Sequence, residues 1–144
     1  MRAVTINPRP RALCCAAALC ALGALGAGCG PAASTSTFHG ESHAVAQTVS
    51  EFQSNANSRN QAHICEHIIT AELRSALTAP HRSCAKALEE QLAQVDNFTI
   101  SIESISVRGP RATARVKSTW SGREALSTLA LVKEAGRWRI AALQ

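Results

Sequence analysis

The period of the apolar residues changes at Asp96-Asn97, and that switch confines the chain to one fold class. Upstream, Val45, Val49, Phe52 and Ala56 recur at three- and four-residue steps, so residues 42–57 read as an amphipathic helix. Asn60 is placed to cap a second helix, with apolar face Ile64, Cys65, Ile68, Ile69, Leu73, Ala76 and Leu77, ending before Pro80. Its polar face is His63, Glu66, His67, Thr70 and Arg74. Ser83 caps a third, whose stripe is Cys84, Leu88, Leu92 and Val95.

Downstream the period is two. Phe98, Ile100 and Ile102 share a face, the phase slips at Glu103-Ser104, and Ile105 and Val107 resume it, which predicts a bulge in a long strand. Gly109-Pro110 turns the chain. Ala112, Ala114, Val116, Ser118 and Trp120 then point one way, and Ser121-Gly122 turns the chain again. Residues 125–133 form a third strand, and after Gly136 a fourth runs over 137–143 with Trp138, Ile140 and Ala142 inward. Three N-terminal helices packed on a curved four-stranded antiparallel sheet make an α+β domain, covered on one face.

The N-terminus is of a different kind. Residues 1–11 carry Arg2, Arg9 and Arg11 with no acid, and residues 12–27 are an unbroken run of Ala, Leu, Cys and Gly. A basic start, a short apolar stretch and small residues at its end are the parts of a secretory signal. Leu25-Gly26-Ala27-Gly28-Cys29 resembles the lipobox of bacterial lipoproteins, with Gly26 where that family prefers leucine. The resemblance implies a diacylglycerol on the Cys29 thiol, cleavage of residues 1–28, and a protein anchored by lipid on the extracytoplasmic face of the cell membrane. Ordinary signal cleavage, releasing a soluble secreted protein, is the alternative. Residues 29–41 read as the lipidated cysteine and a flexible Pro/Ser/Thr tether, and 42–144 as the folded domain.

Four of the six cysteines lie at or before position 29, so only Cys65 and Cys84 remain in the body. Both fall on buried stripes of neighbouring helices, and in an exported protein such a pair is most simply a disulfide, against the alternative of two free buried thiols.

His63-Ile64-Cys65-Glu66-His67 matches the H-x-x-E-H zinc pattern of inverted metallopeptidases. The pattern lies on a polar helix face, and catalytic zinc needs a third protein ligand in a buried cleft. The expectation is no metal and no cofactor.

Without the three leader arginines, the 15 basic residues fall to 12 against 10 acidic ones, and the chain has no tyrosine. Neither a strong positive field nor a stacking platform remains, so nucleic acid is not an expected partner. The residual charge is uneven: residues 104–144 hold eight of the basic residues and two of the acidic ones. Arg115, Lys117, Arg137 and Arg139 fall on outward strand positions, a docking face for a protein partner, a homodimer or anionic lipid.

The order of elements resembles the NTF2-like (SnoaL-like, cone-shaped) superfamily, and more narrowly its small actinobacterial lipoproteins. The closing stretch from Leu131 to Ile140, with Gly136-Arg137-Trp138-Arg139-Ile140, is similar to that group's final hairpin, and the spacing of Cys65 and Cys84 to its helical disulfide. The resemblance implies a cone that binds a small apolar ligand or a protein, or, in the cyclase and isomerase members, an enzyme. Such enzymes place an Asp or His inside the cone. Asp96, Glu103, His39 and His43 all fall at junctions, at the bulge or in the tether, so no catalytic residue is expected and the chain reads as a non-catalytic module.

Overall fold

The computed structural model describes residues 34–144; the expected leader, the anchor at Cys29 and the first part of the tether lie outside the described residues. Helices α1 (Gly40–Asn57), α2 (Gln61–His63), α3 (Ala71–Leu77) and α4 (Cys84–Leu92) precede strands β1 (Thr99–Arg108), β2 (Arg111–Trp120), β3 (Arg123–Glu134) and β4 (Arg137–Leu143). The strands pair antiparallel in the order β1-β2-β3-β4, as the two-residue period and short turns predict. Ala135 and Gly136, at φ 47° and 79°, have the paired positive angles of a type I′ hairpin, whose twist matches that of the strands.

The bulge falls where the phase slips. Ile102 pairs with Val116 and Ser104 with Arg115, so Glu103 is the extra residue, and Ile105 and Val107 return to the face that carries Ile100. A second bulge was not legible. Ala130 pairs with Ala142 but Leu131 with Ile140, so Ala141 is extra on β4. Ala142, expected inward, therefore shares the outward face with Ala130, because one inserted residue reverses every side chain beyond it.

The expected second helix is broken. α2 runs into a π-helical turn, Ile64–Ile68, closed by the bond from Ile69 N–H to Ile64 C=O at 3.1 Å, and the chain is extended at Ile69. Thr70 N–H then donates to Ile140 C=O at 2.9 Å, while its hydroxyl accepts from Leu73 N–H and caps α3. Thr70 is thus buried rather than on a polar face, and Ala76 is exposed. Three consecutive β-branched residues, Ile68 to Thr70, weaken the helix there, and pairing with β4 covers that strand's edge.

On the other edge, α1 serves β1 through side-chain amides. Asn57 donates to Phe98 C=O at 2.7 Å and accepts from Phe98 N–H at 3.1 Å, and Gln53 Oε1 accepts from Ile100 N–H at 2.7 Å. Cys65 and Cys84 are bonded, with Cα atoms 6.2 Å apart, and both are buried. The space between helices and sheet is filled: Val45, Val49, Ile64, Ile68 and Leu131 are each at most 1% exposed. Each contributes about 1.5–3 kcal/mol by leaving water.

Candidate functional site

With the interior packed, concave surface lies outside it. One groove of about 500 Å³ is lined by Ala44, Gln47, Thr48 and Glu51 of α1, by His63 and His67, and by Gly136, Arg137 and Trp138 of the β3–β4 hairpin. The α1 residues recur at steps of three, one and three, so they form one stripe of the helix. The π turn supplies the opposite wall and brings the His63 and His67 rings to 4.7 Å between centroids, tilted by 49°.

The floor is held from beneath. Thr48 donates to Ala44 C=O at 3.2 Å and also lies 3.4 Å from Trp138 C=O. The Trp138 indole N–H donates to Glu41 Oε2 at 2.7 Å, and Lys133 Nζ donates to Glu41 Oε1 at 2.6 Å. Glu41 is thus not tether but the first turn of α1, where its charge also suits the helix N-terminus. The hydrogen bond from Lys133, then that from Trp138, holds the Glu41 carboxyl below its ordinary value of 4.5. A depressed folded value gives stability that is complete above the ordinary value and lost as pH falls through the folded one. Unfolding in urea should therefore show the wild type losing stability below about pH 4.5, and Glu41→Gln should show a smaller loss over that range.

Chemically, the groove offers the Gln47 amide, the Glu51 carboxylate, the Arg137 guanidinium and two imidazole faces. Arg137 has no ion-pair partner among the described residues. Such a set can grip a flat, polar-edged molecule by stacking and by donor and acceptor contacts. Among the described residues no three His, Cys, Asp or Glu side chains are grouped to hold a metal ion; His67 Nε2 lies 3.7 Å from Glu66 Oε2.

The expected docking residues divide. Arg115 pairs with Glu103 at 3.8 Å and Lys117 with Glu124 at 3.3 Å, both on the outward face. Arg139 does not present its charge outward. It reaches around the β4 edge to donate to Glu66 C=O and Ile69 C=O at 2.9 and 3.2 Å, and pairs with Glu134 at 3.6 Å. Carbonyls left free at the end of the π turn attract it. Arg137 is exposed, at the groove. Asp96 and Glu103 are exposed in ion pairs, and His43 Nδ1 lies 3.1 Å from Thr35 C=O. The sequence reading missed Gln47, Thr48, Glu51 and Trp138 as groove residues; helical spacing was the one signal available for the first three, which lie on α1.

The family model described as "Putative lumazine-binding" matches residues 30–143. No curated protein matches the chain in sequence. Among solved structures, an NTF-2 like protein of unknown function from Silicibacter pomeroyi DSS-3 aligns at 18% identity over 69% of this chain and 89% of that one, with a TM-score of 0.54. An NTF2-like protein of unknown function from Shewanella baltica OS155 aligns at 15% identity over 72% and 90%, with a TM-score of 0.53. A SEC-C motif containing protein from Rhodopseudomonas palustris aligns at 15% identity over 69% and 75%, with a TM-score of 0.58. These likenesses show an NTF2-like fold, with its helices over an open antiparallel sheet.

Proposed function

The chain belongs to the family whose model, described as "Putative lumazine-binding", covers residues 30–143, and from that premise we propose that it is a non-catalytic, membrane-anchored module that binds a small planar heterocycle. The groove between α1, the π turn and the β3–β4 hairpin carries this reading, because Gln47, Glu51, Arg137 and the two imidazoles converge on it. A pteridine-dione such as lumazine has a flat bicyclic ring and an edge of alternating N–H and C=O groups, which those side chains complement.

Titration of lumazine fluorescence with the purified protein tests the site. Saturable binding is expected, weakened about fivefold by Gln47→Ala and more by Arg137→Ala, since one hydrogen bond is worth about 1 kcal/mol and a charged one more. No saturable binding, or binding indifferent to both substitutions, rejects the groove as the site.

The anchor rests on the lipobox-like stretch ending at Cys29. Two acyl chains, at about 0.8 kcal/mol per buried CH₂, would hold the domain at a membrane on the extracytoplasmic side, where the disulfide persists. Cys29→Ala should move the protein from the membrane to the soluble fraction. A variant that stays with membranes through a high-salt wash places the anchor elsewhere.

A further inference from the structure

Two arginines close the β1–β2 hairpin directly opposite one another: Arg108 is the cross-strand partner of Arg111. Like charges so placed repel, and neither meets a carboxylate among the described residues. Among the other basic side chains of the sheet, Arg115, Lys117, Lys133 and Arg139 each pair with a glutamate, while Arg123 and Arg137 stand opposite Trp120 and Glu134 and so face no like charge across the strands. A local rule broken without a compensating contact points to a demand from outside the fold. Both arginines are exposed, and because Val107 and Ala112 face the core, both lie on the outward side. Beside them a shallow groove of about 310 Å³ is lined by Ser106, Arg108, Arg111, Ala112 and Thr113, so two hydroxyls flank two guanidinium forks. That is the donor set of a phosphate site.

The place of this hairpin says which phosphate. Pro110 C=O accepts from Lys133 N–H at 2.8 Å, Lys133 Nζ reaches Glu41, and Thr35 C=O is bonded to His43 one turn into α1. The chain therefore enters the domain at the hairpin end. Thr35 is six residues beyond Cys29, which at ~3.6 Å per residue spans at most about 22 Å. A lipid on Cys29 would keep this end of the domain near the bilayer.

We propose that the Arg108–Arg111 hairpin docks on the phosphates of anionic lipid headgroups in the membrane that carries the anchor, setting the domain with this end down. The inference rests on the anchoring read at Cys29. At about 1 kcal/mol per arginine near an anionic surface, two arginines favour the docked state roughly 30-fold.

The full chain, processed in a bacterial host, is reconstituted on vesicles of phosphatidylcholine alone or mixed with phosphatidylglycerol, each with a dansyl headgroup. Energy transfer from tryptophan to dansyl reports how close the domain lies to the surface. Transfer is expected to be higher on the anionic vesicles. It should fall to the phosphatidylcholine level in Arg108→Gln/Arg111→Gln and in high salt, and persist in Arg108→Lys/Arg111→Lys. Equal transfer on both vesicles, or a difference that survives the glutamine variant, overturns the docking. Failure of the wild type to float with phosphatidylcholine vesicles overturns the anchor instead. Docking is then read from flotation with anionic vesicles, expected to drop roughly 30-fold in partition for the glutamine variant, and absence of flotation overturns it as well.

Discussion

Reducing the Cys65–Cys84 bridge, or replacing both cysteines with alanine, is expected to lower the unfolding free energy by about 3 kcal/mol in the chain-entropy model for a loop of this length. For a domain of about 110 residues each kcal/mol is worth about 4–8 °C, so the thermal midpoint should drop by roughly 12–24 °C. The bridge spans 19 residues and encloses the π turn and α3, which has no buried residue of its own. Without the closure, α3 keeps the half-buried Leu73 and Leu77 against the core but no fully buried side chain, so amide exchange in Ala71–Leu77 should rise before global unfolding. Circular dichroism on the oxidised and reduced protein checks the first effect, and thiol counting on the denatured, unreduced chain checks the bond itself. An unchanged midpoint would mean that helix packing alone holds this layer.

Trp138→Ala should cost about 3–5 kcal/mol, the range for removing a large buried aromatic side chain. Trp138 is 5% exposed and packs in the core, and its indole N–H is the donor that ties β4 to Glu41 at the start of α1. Trp138→Phe separates the two roles. It keeps most of the buried surface and loses the hydrogen bond, so about 1 kcal/mol is expected, because water can replace the indole at the exposed Glu41. Urea midpoints for the two variants measure both quantities. Equal costs would mean that the bond to Glu41 carries the contribution of the whole side chain.

Trp138 also shows how far the residues alone could be read. Its inward phase, and that of Ile140, follows from alternation along β4. Its partner Glu41 does not, since the two are 97 positions apart and Glu41 stands among Pro, Ser and Thr residues that read as tether. The groove has the same character. Gln47 and Glu51 share a face of α1 by their spacing, but it is the packing of α1 against the π turn and the β3–β4 hairpin that brings His63, His67 and Arg137 to that face. Charge divides likewise. The excess of basic residues after position 103 is a matter of counting, whereas which of them meet a carboxylate is not: of the four expected docking residues, Arg115, Lys117 and Arg139 each have one nearby, and Arg137, like Arg108 and Arg111, has none among the described residues.

Local order alone determined the helices-then-strands order, the turn positions, the bulge at Glu103 and the apolar faces of α1, β1 and β2, because periodicity, capping and turn chemistry act over a few residues. Tertiary structure decided the break at Thr70, the reversal of Ala142, the bonds from Gln53 and Asn57 to the β1 edge and the make-up of the groove. Each of these depends on a partner distant in the chain, and the bonds at Thr70, Gln53 and Asn57 satisfy backbone groups there. Which distant partner comes within hydrogen-bond reach is set by how the layers pack, and no short stretch of residues carries that information.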